Sequence, residues 1–263
     1  MLFLDSRQLS NAAPGGGVGA RKIVDIAALI ARAGKPHAIN YFEPSPDGKR
    51  VAIGISVGGN ENADLTVLDA VSGRRLAGPV HHARGANPQF ISGGKLAFTL
   101  SQELQSGRPK TDTFLNRRAV VWDMKSDPVA YAGATVAAGP KIRPDERAYM
   151  LVSRGSQTAV LVVREGVKNE VDLYIAPETD AASGTAAWRK IGDRIEGVTK
   201  LLMGRDRLFL LSNAGAPTFR ILSMPATGTV ATASELLPAK PGRVLQLLGA
   251  ASDALYVVAS EGV

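Results

Sequence analysis

Pro46-Asp47-Gly48-Lys49-Arg50-Val51-Ala52-Ile53-Gly54-Ile55-Ser56 holds the pattern that decides the fold: a tight turn running straight into a short apolar strand. Proline presets φ, and aspartate and glycine supply the turn. The Val/Ile-rich run behind it has the composition of a strand. The same couple recurs. Gly93-Gly94 leads into Leu96-Ala97-Phe98-Thr99-Leu100, and Pro144-Asp145-Glu146 leads into Ala148-Tyr149-Met150-Leu151-Val152. Asp206 leads into Leu208-Phe209-Leu210-Leu211, and Ser252-Asp253 into Leu255-Tyr256-Val257-Val258. These starts lie roughly 45 to 60 residues apart, a spacing that marks a repeat architecture.

Each unit continues alike. A second apolar run follows, as in Leu65-Thr66-Val67-Leu68, Val120-Val121-Trp122, Val171-Asp172-Leu173-Tyr174-Ile175 and Phe219-Arg220-Ile221-Leu222. A polar turn and a weaker edge-like strand come next, such as Arg75-Leu76-Ala77 or Trp188-Arg189-Lys190-Ile191. Three or four antiparallel strands per unit, repeated radially, predict an all-β fold, a β-propeller. One domain over 1–263 is expected, with blades starting near 41, 86, 139, 197 and 243. That makes about four to five blades and an incomplete ring. Such a ring bares strand edges, so self-association through open propeller edges is expected.

One segment departs from the pattern. Ile23, Val24, Ile26, Ala27 and Ile30 recur at helical spacing, and Gly34 and Pro36 stop the run. A short inserted helix over 22–33 is predicted. The small residues of 11–19 read as a loop.

Composition narrows function mainly by exclusion. The chain has 263 residues and 45% are apolar, enough for a sizeable core. It has no cysteine, which removes disulfides, thiolate metal sites and a cysteine nucleophile. Net charge is +7, but the basic residues occur in scattered pairs such as Arg74-Arg75 and Arg117-Arg118. Nucleic-acid binding needs a clustered footprint, so no nucleic acid is expected as a partner. No run approaches a membrane-spanning length, so no membrane helix is expected. The apolar start of MLFLDSRQLS is too short for a signal peptide and is broken by Asp5. Cytoplasm and periplasm both remain open.

The chemical motifs are few. Gly54-Ile55-Ser56-Val57-Gly58 matches the G-x-S-x-G nucleophile elbow, but a polar turn follows Ser56 where the elbow needs a helix. The three histidines are His37, His81 and His82. His81-His82 reads as a loop pair whose side chains diverge on extended backbone, and His37 as a loop residue beside Pro36. The run Gly15-Gly16-Gly17-Val18-Gly19-Ala20-Arg21-Lys22 lacks the hydroxyl residue of a phosphate-binding loop. Asp145, Glu146, Asp193 and Glu196 lie near turns, where carboxylates bond backbone N–H groups. No cofactor and no metal site are expected.

Taken together, several segments resemble the propeller of the prolyl oligopeptidase family of serine peptidases. Leu2-Phe3-Leu4-Asp5 with Leu9-Ser10 is similar to that family's approach to its second blade. Residues 41–56 resemble its SPDG blade opening, and 63–73 the strand and turn that follow. Trp188-Arg189-Lys190-Ile191 with Ile195-Glu196-Gly197 resembles a further family segment. Ser212-Asn213-Ala214-Gly215-Ala216-Pro217-Thr218-Phe219-Arg220-Ile221 resembles an Asn-x-x-Ala-Pro hairpin and is the most specific match. Two stretches depart from the family: the helix-like 22–33, and 157–167, whose run Val160-Leu161-Val162-Val163 blurs the third blade.

The resemblance implies a seven-bladed propeller, here incomplete, that caps an active site and sieves short, proline-containing peptide substrates. It implies an α/β-hydrolase domain as partner, carrying the catalytic serine, aspartate and histidine. Nothing in this chain matches that domain, so no catalytic residue is expected here and the chain alone is expected to be inactive. By position Phe98 resembles an aromatic substrate contact; as a residue of an alternating strand it reads equally well as blade core. The family's methionine-bearing segment corresponds to about 136–139, which holds no methionine. A stand-alone propeller that binds a protein or ligand is the rival reading.

Overall fold

The computed structural model describes residues 2–3, 21–137, 139–153, 155–251 and 254–262. The Gly-rich stretch 15–20, Leu4, Asp5, Leu9, Ser10, Ala138 and the Ser252-Asp253 turn lie outside them. The chain divides into two compact units, Met1–Ala86 and Asn87–Val263.

In the first unit, β1 (Leu2–Phe3) pairs with β2 (Arg21–Lys22). Helix α1 (Ile26–Ala33) and the sheet β3 (His37–Pro44), β4 (Arg50–Val57), β5 (Ala63–Asp69), β6 (Arg75–Val80) follow. The quoted turn closes on itself. Ser45 Oγ donates to Asp47 Oδ1 at 2.6 Å, and Asp47 Oδ1 accepts from Lys49 N at 3.1 Å. Gly48 takes φ +69°, where a Cβ would be strained. The predicted helix is shorter than 22–33. Asp25 sits in extended backbone and its Oδ1 accepts from Ala28 N, so the helix begins at Ile26. Gly34 ends it in the left-handed region.

Tyr41 on β3 faces Gly54 on β4, and its hydroxyl donates to Ala83 O at 2.8 Å. A Cβ at Gly54 would stand 2.2 Å from Tyr41 Cζ. The anchored ring cannot swing aside. Gly54→Ala is therefore expected to destabilise the protein by about 1–3 kcal/mol, an overpacking cost. A urea denaturation midpoint for the purified variant checks this.

The second unit holds three four-stranded antiparallel sheets and a hairpin. The first is β7 (Gln89–Ile91), β8 (Lys95–Leu100), β9 (Arg118–Trp122) and β10 (Val129–Gly133). The second is β11 (Glu146–Val152), β12 (Thr158–Glu165), β13 (Val171–Pro177) and β14 (Arg189–Gly192), with α2 (Glu178–Ser183) before β14. The third is β15 (Val198–Met203), β16 (Arg207–Ser212), β17 (Arg220–Pro225) and β18 (Ser234–Leu237). The hairpin is β19 (Arg243–Ala250) with β20 (Leu255–Glu261). In each sheet the strands pair in sequence order as a meander, and no sheet closes on itself. The protein is all-β, with α-helix limited to two short segments among the described residues.

Core packing explains the sequence patterns. Ala97, Ala119 and Val121 pack with Ala148, Met150, Leu161 and Val163. The other face of the second sheet, through Val160, Val162, Leu173 and Ile175, packs with Leu208, Leu210 and Met224. Strand β12 is therefore buried on both faces and reads as an unbroken apolar run rather than an alternation. The stretch 157–167, expected to depart from the family and blur the third blade, holds the regular second strand of its sheet. Strand β11, which follows the Pro144-Asp145-Glu146 turn, is the first. Burying one such leucine fully contributes about 1.5–3 kcal/mol.

The turn between the third and fourth strands repeats as a device. Asp69 Oδ1 accepts from Val71 N and Ser72 N at 3.0 and 2.7 Å. Asp123 Oδ1 accepts from Lys125 N and Ser126 N, both at 2.9 Å. An aspartate bonding the N–H groups two and three residues on fixes the hairpin locally.

Candidate functional site

The structure separates the residues a peptide-cleaving site would need. Ser56 is 3% exposed, on β4 opposite Ala63. The neighbouring pair in the register is Ile55 with Asp64. Asp64 Oδ1 meets His81 Nδ1 at 2.9 Å in an exposed pair. Successive residues of a strand point to opposite faces, so Ser56 lies on one face of the sheet and the Asp64–His81 pair on the other. Behind β4 come Gly58 and Gly59 at positive φ and then β5, with no helix. The G-x-S-x-G match has a structural reason: Gly54 makes room for Tyr41, and Gly58 makes a turn. His37 Nδ1 bonds Lys35 O at 2.8 Å, and His82 takes φ +61° in its loop. No group of three metal-ligating side chains assembles among the described residues.

Phe98 is 1% exposed. Its ring meets the edge of Trp122 at 6.2 Å and 78°, on the face of the sheet shared with Leu96 and Val120. Strand β8 and its neighbour β9 hold it there, and no open surface surrounds the ring.

The strongest concentration of charge lies in the second unit, where β11 begins, β12 ends and β13 begins. Arg194 reaches Glu146, Glu165 at 2.7 Å and Asp172 at 2.7 Å. Arg143 adds Glu165 at 2.6 Å and Glu146 at 3.4 Å, and Lys190 adds Asp172 at 3.2 Å. Glu146 is only 5% exposed in its side chain. The loop that carries Arg194 is shaped by a capping box between Asp193 and Glu196. Glu146 Oε2 likewise accepts from Arg143 N at 2.7 Å. Glu146, Asp193 and Glu196 thus bond backbone N–H groups as their sequence setting suggests, whereas the Asp145 carboxylate accepts from Arg143 Nε at 3.3 Å. The ion pairs that join Glu146 to Arg194 carry no local signal.

Every carboxylate in this cluster is engaged by a cation, so none stands free as a proton acceptor. The arrangement ties the Arg194 loop to the end of its sheet. Hydrogen bonds from Lys168 and Arg143 hold the Glu165 carboxyl at about 2, well below its ordinary 4.5. The turn N–H groups of Ser126 and Lys125 hold Asp123 at about 2 as well. A depressed folded-state pKa adds stability that is fully present above the unfolded value and lost as pH falls through the folded one. Thermal midpoints are therefore expected to fall between about pH 4.5 and pH 2, and Glu165→Gln to flatten part of that fall. Melting curves across the acid range read both.

Two further clefts line the second unit. One, of about 590 Å³, lies at the opposite sheet end, between the turn at Gly155 and Ser156 and the turns at Arg205, Asp206 and Thr227. The other is smaller and lies beside Tyr131. Among the described residues no helix is long and apolar enough to cross a membrane.

Comparison with known proteins gives one consistent likeness. The chain is similar to prolyl oligopeptidase B of Galerina marginata bound to a 25-residue macrocyclization substrate, with TM-score 0.77 and 13% identity, over 97% of this chain and 36% of that one. It is similar to a prolyl endopeptidase, from a study of two such enzymes and their inter-domain dynamics, with TM-score 0.71 and 17% identity, over 90% and 33%. It is also similar to a post-proline cleaving enzyme of Rickettsia typhi, with TM-score 0.64 and 13% identity, over 88% and 36%. The chain spans about a third of the length of these enzymes. No curated protein sequence matches it. The model of the prolyl oligopeptidase N-terminal β-propeller domain matches residues 8–263. Meander sheets stacked face to face and a family match over nearly the whole length agree: the chain belongs to the prolyl oligopeptidase N-terminal β-propeller family.

Proposed function

We propose that this chain is the gating and substrate-sieving propeller of a prolyl oligopeptidase-like serine peptidase that hydrolyses short, proline-containing peptides. An α/β-hydrolase domain outside the chain would hold the catalytic serine, aspartate and histidine. The family match over residues 8–263 carries this reading. The separation of Ser56 from the Asp64–His81 pair supports the assignment of chemistry to another domain. Phe98 would have to leave a position that is 1% exposed to touch a peptide, so its proposed role is to support the blade.

Hydrolysis of a chromogenic glycyl-prolyl peptide tests the proposal, with the chain alone and after mixing with a separately produced prolyl oligopeptidase hydrolase domain. Inactivity alone, with activity or a changed substrate-size limit on mixing, is the expected result. Turnover by the chain alone that is abolished by Ser56→Ala would overturn it. Specific binding of a protein or ligand without any effect on the hydrolase domain would favour a stand-alone module.

Self-association is part of the same proposal. On the last hairpin Leu248, Tyr256 and Val258 are 60%, 55% and 37% exposed, and β20 has an unpaired edge among the described residues. An apolar edge strand is a template for another chain. Sedimentation velocity is expected to show mass rising with protein concentration. A monomer throughout the micromolar range would refute it.

A further inference from the structure

Two like charges face each other on the sheet β11–β14. Arg147 on β11 and Arg164 on β12 are direct register partners, so their side chains leave the same face of that sheet. Such a pair is unfavourable by itself. The adjoining register pair, Glu146 with Glu165, lies on the opposite face, where Arg194 and Arg143 engage both carboxylates. Neither Arg147 nor Arg164 has an ion pair with a carboxylate among the described residues. Arg164 donates to Thr199 O of β15 at 3.2 Å, which places the pair at the seam between the second and third sheets.

The Arg147 guanidinium stands 5.6 Å from the centre of the Tyr149 ring and makes no hydrogen bond among the described residues. The residue is half-buried. Burial pushes the guanidinium below its ordinary pKa, and the Arg164 charge adds to that shift. A charge drawn out of water is normally paired, so the two arginines call for an anion. Both residues keep part of their surface open, so an anion can reach them. The planar forks of two guanidinium groups match a carboxylate. We propose that Arg147 and Arg164 together bind a carboxylate of a peptide, from an acidic side chain or a chain terminus. That the ligand is a peptide rests on the peptide-sieving reading above; that it is an anion rests on the arginines alone.

Titration calorimetry of the full chain with three N-acetylated tetrapeptides tests it. One is glycyl-glutamyl-prolyl-glycine amide, the second glycyl-glutaminyl-prolyl-glycine with a free terminus, and the third the amide of the second, which carries no carboxylate. At least one carboxylate peptide is expected to bind saturably and about tenfold more tightly than the third, the scale of one hydrogen bond to a charged group. Which of the two binds identifies side chain or terminus as the source. Arg147→Met and Arg164→Met are each expected to remove the preference, and Arg147→Lys to keep part of it. Without ligand, Arg147→Met should hold or raise the melting temperature, because one of two facing like charges is gone. Equal binding of all three peptides, or a preference that survives both methionine variants, would overturn the proposal. A lowered melting temperature in Arg147→Met with no preference in the wild type would also overturn it and assign the arginine to packing on Tyr149. Mixing with the hydrolase domain separates this inference from the gating reading. Activity on mixing that ignores the added carboxylate sinks the site alone, and a carboxylate preference in binding with no activity on mixing sinks the gating reading alone.

Discussion

Phe98→Ala is expected to lower the unfolding free energy by about 3–5 kcal/mol, the range for deleting a buried aromatic ring. The ring is 1% exposed and its edge-to-face contact with Trp122 is lost with it. Such pairs add about 0.5–1.5 kcal/mol beyond burial. Phe98→Leu keeps an apolar side chain in the space and should recover most of the loss. Chemical denaturation of both variants measures this. The result separates the two readings of Phe98. A substrate contact would leave stability nearly unchanged and alter only peptide selectivity once a hydrolase domain is present. A blade core residue changes stability first.

Arg194→Met is expected to cost about 3–5 kcal/mol, the scale for breaking a buried ion pair by removing one partner. Glu146 and Asp172 are 5% and 13% exposed in their side chains, and Arg194 bonds both. Arg143 still reaches Glu146 at 3.4 Å and Lys190 still reaches Asp172 at 3.2 Å, which holds the loss toward the lower end. Adding Glu146→Gln removes one orphaned charge and should restore part of the stability. A double-mutant cycle on Arg194 and Glu146 should then give a coupling of about 0.5–3 kcal/mol. Independent, additive effects would show that the cluster is a set of solvated surface charges.

Much of the blade pattern was legible because its signals are local. Asp47, Asp69 and Asp123 each bond groups two or three residues away, and Gly48 and Gly73 supply left-handed turns in the same short stretches. Composition and spacing reveal such features before any tertiary contact forms. The helix boundary was less legible. Hydrophobic spacing extends back to Ile23, but the Asp25 cap starts the helix at Ile26. The second sheet was less legible, for a packing reason. Residues 160–163 are apolar without alternation because both faces of β12 are covered, and only the stacking of sheets determines that.

The sites depended still more on tertiary structure. Glu146 and Arg194 lie 48 positions apart in the chain and meet because the meander returns to the same sheet end. Tyr131 on β10 stacks on Trp188 in the loop before β14. The sequence by itself determined the all-β repeat, its turns and its family likeness, because short-range hydrogen bonds and φ preferences are written residue by residue. The tertiary structure alone decided which face Ser56 takes, what buries Phe98 and where the charges converge. Those outcomes follow from strand register and sheet stacking, and in a sheet a shift of one residue moves a side chain to the opposite face.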